Sequence, residues 1–77
     1  MNLWMYNGKK VKIIDLNGQT FVGIADYHSA ENNTSGVDSL AIEISDSDEG
    51  ILYEFEEHEI ASIELFYTVS QNLAVAV

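Results

Sequence analysis

The dipeptide Asn17-Gly18 constrains this chain more than any other feature. It stands between Val11-Lys12-Ile13-Ile14-Asp15-Leu16 and Gln19-Thr20-Phe21-Val22-Gly23-Ile24, two runs rich in β-branched residues. Both central residues of a type I′ turn need positive φ, which Asn and Gly tolerate, so Asn-Gly between such runs predicts a tight hairpin. Strands are expected over residues 9–16 and 19–28.

The rest of the chain continues the β reading. Residues 29–37 are polar, with Asn32-Asn33 and Ser35-Gly36, and read as a loop. Leu40, Ile42 and Ile44 then alternate with Ala41, Glu43 and Ser45, the period-two pattern of a strand with one wet face. Asp46-Ser47-Asp48-Glu49-Gly50 is turn chemistry. Ile51, Tyr53 and Phe55 alternate through a fourth strand, Glu57-His58-Glu59 makes a brief turn, and a fifth strand starts at Ile60 and extends toward Val69. Residues 1–7 suit a short helical turn, with Trp4 and Tyr6 capping one end of the molecule. Phe21, Tyr53 and Phe55 fall on core-facing phases, and Tyr27 lies beside the loop. Phe66 and Tyr67 place one ring on each face of the last strand. Five short strands, tight turns and no convincing helix predict an all-β barrel or sandwich.

Seventy-seven residues make a single domain, 1–77, with a core over about 8–69 and a tail at 70–77. Area gain and chain entropy nearly cancel at this size, so small scaffolds usually carry a staple. There is no Cys, so a disulfide is excluded. Homo-oligomerisation through edge strands is therefore the expected route to stability. No Pro blunts an edge. The apolar tail Leu73-Ala74-Val75-Ala76-Val77 is expected either to fray or to dock on a neighbour. A hydrophobic fraction of 47% argues against disorder. No apolar run approaches the ~18 residues of a membrane span, and Met1–Tyr6 lacks the basic start and apolar stretch of a signal peptide. A cytoplasmic protein without membrane association is the expectation.

Charge narrows the function. Thirteen acidic residues face three basic ones, for a net charge of -10, and no Lys or Arg follows Lys12. Nucleic-acid affinity rests on Lys and Arg at phosphates, and this chain offers almost none. The acidity reads first as a solvated, soluble surface; the sharper reading is an acidic face for a basic protein partner, or a nucleic-acid mimic. Glu56-Glu57-His58-Glu59 holds metal-ligand residue types, but neighbouring side chains on a strand or turn diverge, so no metal site is expected. Residues 46–50 place Gly fifth, whereas the calcium loop needs it sixth and between helices. With no Cys nucleophile, no Gly-x-Ser-x-Gly elbow and no phosphate-binding glycine loop, neither catalysis nor a cofactor is expected. His28 reads as a surface residue at the end of a strand.

Gly8-Lys9-Lys10-Val11 leading into the first strand, Asn17-Gly18 at its turn, Gly23 five residues later and Asn33 in the next loop form one motif. Phe55, Ile60 and Ile63 around the last turn form a second. Over residues 8–66 the chain thus resembles the Sm-like (LSM) superfamily, which implies an all-β, strongly bent five-stranded SH3-like barrel. The resemblance implies a ring in which the fourth and fifth strands of adjacent subunits pair. It also implies a ligand loop at Tyr27, His28, Asn32, Asn33, Glu56, Glu57 and His58. The loop Asp of the family falls at Ser29, and its Arg-Gly at Glu56-Glu57. A carboxylate in place of that cation repels a nearby phosphate by about 1 kcal/mol per subunit. Single-stranded RNA binding is implied by the resemblance and disfavoured by the charge.

Overall fold

A computed structural model of the chain describes residues 2–44 and 50–66. The expected turn at 46–50 (Gly50 apart), the extension of the last strand to residue 69, Tyr67 and the tail at 70–77 lie outside the described residues. Five antiparallel strands form one sheet: β1 (Lys10–Asp15), β2 (Thr20–His28), β3 (Ser39–Glu43), β4 (Leu52–Glu56) and β5 (Ile60–Leu65), in the spatial order β4-β3-β2-β1-β5. The only helical pieces among the described residues are short 3-10 turns at Leu3–Tyr6, Ala30–Asn32 and Glu57–Glu59. This is the all-β, strongly bent architecture that the sequence predicts. Among the described residues, no helix is long and apolar enough to cross a membrane.

The β1–β2 hairpin is present, but its turn differs from the expected type I′. Only Gly18 has positive φ, at 83°, while Asn17 does not. Gly18 N–H donates to Asp15 O at 3.0 Å, and Asp15 N–H donates to Gln19 O at 3.0 Å. This is a three-residue loop with one left-handed glycine. The cause is Asp15, whose Oδ1 accepts from the backbone N–H of Asn17 and of Gln19, both at 2.9 Å. That side chain holds a type I bend in which a single residue needs positive φ.

The bend of the sheet is centred on β2. Residues 20–24 pair with β1 and residues 24–28 pair with β3. At the crossover, a Cβ on Gly23 would lie 2.1 Å from Glu43 O. Only glycine lets the β3 backbone come this close. The curl brings β4 back over the start of β2, so the Phe21 ring lies 4.9 Å from Tyr53 and 5.0 Å from Phe55, centroid to centroid. Phe55 is buried as expected, whereas Tyr53 is 42% exposed at the rim.

On β5 the pairing slips by one residue: Ile14 faces Ser62 but Asp15 faces Ile60, leaving Ala61 as a bulge. Ile60 and Ile63, three apart, would otherwise point to opposite faces. With the bulge, Ile60 is buried and Ile63 packs against the same core of Leu3, Val11, Ile13, Leu40 and Ile42. Leu3, fully buried, closes one end of the barrel. Trp4, expected to cap it, is 60% exposed, because in the tight 3-10 turn Leu3 takes the inward position. Tyr6 does pack against the core.

Candidate interaction site

Period two divides β2, β3 and β4 into an inner and an outer face. The register places Ile24, Glu43 and Leu52 in one outer row, Asp26, Ala41 and Glu54 in the next, and His28, Ser39 and Glu56 in the third. A polar chain runs across this face. Asp26 Oδ2 lies 3.2 Å from His28 Nε2, and Glu54 Oε2 lies 3.1 Å from His28 Nδ1. Ser39 Oγ donates to the same Glu54 oxygen at 2.7 Å, and Asn33 Nδ2 donates to Ser39 Oγ at 3.1 Å. His28 is therefore not the plain surface residue expected from sequence. Both ring nitrogens meet carboxylates, an arrangement that suits the imidazolium, which donates from both. The Glu54 hydrogen bond is the largest influence raising the His28 pKa above its ordinary 6.5. His28, followed by Ser39, in turn holds the Glu54 carboxyl below its ordinary 4.5.

The loop between β2 and β3 folds against the turn that follows β4. Glu57 N–H donates to Asp38 O at 3.1 Å, and Asp38 Oδ1 accepts from Ala30 N–H at 2.8 Å. The phenol of Tyr27 is raised above its usual range by desolvation first, and then by a hydrogen bond to Asp38. Its backbone N–H donates to Asn7 Oδ1 at 2.8 Å. The expected ligand residues thus gather at one end of the molecule, but most are spent on the fold. Asn33 Nδ2 donates to Val37 O at 2.7 Å and reaches His28 O at 3.3 Å, besides Ser39. Asn32 Nδ2 donates to Ser29 Oγ at 3.1 Å. Glu56 and Glu59 form a reciprocal capping box around the 3-10 turn, with Glu56 N–H on Glu59 Oε1 at 2.9 Å. His58 is exposed, with Nε2 3.6 Å from Glu56 Oε1.

Two hollows result. One, of about 300 Å³, lies between the loop and β4 and is lined by Asn33, Ser39, Glu54, Glu56 and Glu59. It is acidic, and among the described residues no cation lines it. The other, of about 500 Å³, lies over the β2–β3–β4 face, with Ile24, Ala41 and Leu52 as its apolar part and Asp26, His28 and Glu43 around them. The three lysines sit elsewhere, at β1: Lys12 Nζ lies 3.8 Å from Glu64, and Lys10 Nζ lies 5.4 Å from the Phe66 ring centroid. Among the described residues, no group of three or more His, Asp or Glu side chains is arranged to hold a metal ion. Asp26 and Glu54 flank His28 on opposite ring nitrogens, so the three do not converge.

Sequence reasoning missed Asp26, Ser39, Glu43 and Glu54. The i, i+2 spacing of Asp26 with His28 and of Glu54 with Glu56 was a readable signal of shared faces. The link from His28 to Glu54 depends on a register across three strands. Compared with known proteins, the chain matches no family model, no curated protein and no solved structure.

Proposed function

We propose that this chain is a non-enzymatic interaction module, an Sm-like barrel that assembles into a homo-oligomer edge to edge and acts by meeting a basic protein partner in the cytoplasm. The observation that carries this reading is the pair of open edges. Among the described residues, β4 and β5 each pair on one side only. Ile44 N–H donates to Ile51 O, and Glu57 N–H to Asp38 O. By alternation, Leu52 and Glu54 turn their backbone groups toward the outer edge of β4. Phe66 N–H donates to Lys10 O, so Ile63 and Leu65 do the same on β5. Exposed apolar side chains line both edges: Leu52 at 64% and Tyr53 on one, Leu65 and Phe66 on the other. Unpaired edges of this kind template pairing with another chain. Assembly also supplies the burial that a core of this size lacks.

Single-stranded RNA binding through the family's loop is the weaker reading. The Asn33 amide is already engaged inside the loop, and Glu56 and Glu57 stand where the resemblance calls for Arg-Gly. Light scattering at tens of micromolar tests the assembly. The expected mass is several times 8.6 kDa. Leu65→Pro, which removes an outward donor while sparing the β1–β5 ladder, is expected to reduce it toward the monomer. A wild-type monomer would sink the proposal.

A further inference from the structure

We propose that the outer face of β2–β3–β4 is a docking groove for a short segment of a partner protein in which an aliphatic side chain is flanked by Lys or Arg. This rests on the reading of the chain as a protein-interaction module and names the surface and the partner chemistry. The groove arises because Ala41 is the small residue at the centre of the face. Its cross-strand neighbours Asp26 and Glu54 and the adjacent Ile24, Glu43 and Leu52 are all larger, and cross-strand side chains stand about 5 Å apart. The result is a depression of about 500 Å³ with an apolar floor, within the range of sites that take small ligand groups. Ile24 is 43% exposed and Leu52 64%, so an entering aliphatic chain would cover both.

Charge selects the occupant. Asp26 and Glu43 stand beside the floor. Among the described residues Asp26 meets only His28, and Glu43 has no ion-pair partner. A purely apolar segment would desolvate Glu43 without compensation and leave Asp26 with His28 alone. Flanking Lys or Arg side chains satisfy them and lay their aliphatic stems along Ile24 and Leu52. A second copy of this chain fits less well. Two such faces would set acid against acid. The cations of a copy are all at β1, where Lys12 faces Glu64 and Lys10 lies over Phe66.

The test uses the full-length protein, ¹⁵N-labelled and titrated with the end-blocked peptide Lys-Lys-Leu-Val-Lys-Lys. Amide shifts are expected at Ile24, Ala41, Glu43 and Leu52. Leu52→Ser should weaken binding about tenfold. Glu43→Lys should weaken it about fivefold at low salt, with circular dichroism confirming that both variants fold. The peptides Lys-Lys-Ser-Ser-Lys-Lys and Glu-Glu-Leu-Val-Glu-Glu should bind at least tenfold more weakly. Equal binding of the serine peptide, shifts centred on residues 57–59, or no shift up to millimolar peptide would overturn the proposal. So would two other results: the same amides shifting on dilution of the free protein, which gives the groove to a second copy, or tighter occupation by a single-stranded oligouridylate. Light scattering on the same samples separates the two readings. An oligomer that ignores the peptide refutes the groove alone, and a monomer that binds it refutes edge-to-edge assembly alone.

Discussion

Adding one methyl group at Gly23 should cost this protein more than straining its hairpin. In Gly23→Ala the new Cβ would lie 2.1 Å from Glu43 O, 2.8 Å from Glu43 C and 2.9 Å from Ile42 Cγ2, whereas ordinary contact begins at 3.4 Å. The two nearest atoms are backbone, so no rotamer change relieves the clash. β2 and β3 must separate by about 1 Å where Ile24 pairs with Glu43, at the bend on which both halves of the sheet depend. Overpacking against rigid structure costs about 3 kcal/mol or somewhat more. A domain of this length has roughly 4–12 kcal/mol to lose. With a urea m-value of about 1 kcal/mol/M, the unfolding midpoint should fall by about 3 M. Gly18→Ala is the calibrating variant. Its Cβ meets nothing within 4 Å, but φ is +83°, so only backbone strain of about 1 kcal/mol and a shift of about 1 M are expected. Circular dichroism in urea at one matched protein concentration reads both, because self-association would make midpoints concentration-dependent. A midpoint for Gly23→Ala at or above that of Gly18→Ala would refute the close-approach argument.

Two further outcomes follow from the polar chain. Asn33→Ala removes the donor shared by His28 O, Val37 O and Ser39 Oγ. It should destabilise the fold by about 2 kcal/mol in the same urea assay, and a loss under 0.5 kcal/mol would show that the loop does not need it. For His28, the raised pKa means its contribution is complete below pH 6.5 and fades as pH climbs through the folded-state value. For Glu54, the lowered pKa means its contribution is complete above pH 4.5 and fades as pH falls through the folded-state value. Both act together between pH 4.5 and 6.5. Because the His28 side chain is 39% exposed, screening limits its contribution to about 0.5 kcal/mol. Wild type should therefore lose that amount relative to His28→Gln between pH 5.5 and 8.5, and parallel profiles would show the ion pairs to be inert.

The strands were legible in the sequence because alternation and turn residues are local. Leu40 and Ile42 are buried in phase, and Gly18 does turn the first hairpin. The details that escaped depend on side chains acting at a distance along the chain. Asp15 chose the turn type by accepting two backbone donors, which the dipeptide that follows it does not reveal. Ile60 and Ile63 share the core only through the bulge at Ala61, and apolar spacing alone would have put one of them outside. At the site, Asn33 is expected as a ligand residue from the resemblance alone. The folded loop engages its Nδ2 internally, on His28 O, Val37 O and Ser39 Oγ, a use that depends on how the loop closes. His28 read as solvated because Glu54 is 26 residues away and reaches it only through the sheet register.

The same register bears on how copies of this barrel would meet. Pairing β4 with β4 about a two-fold axis would bring the Glu54 and Glu56 rows of two subunits to about 5 Å, carboxylate against carboxylate. Head-to-tail pairing of β4 with β5 instead sets Glu54 against β5, which carries one acid, Glu64, on its outer phase, with Lys10 and Lys12 one strand further on at about 10 Å. That distance is close to the screening length at physiological salt, so the attraction is modest. The repulsion avoided is not, because it acts at half the distance and on every pair. A chain that is acidic overall but keeps its few lysines beside one edge therefore disfavours the symmetric dimer more than it favours any one ring. Under the proposed edge-to-edge assembly, head-to-tail contact is what remains.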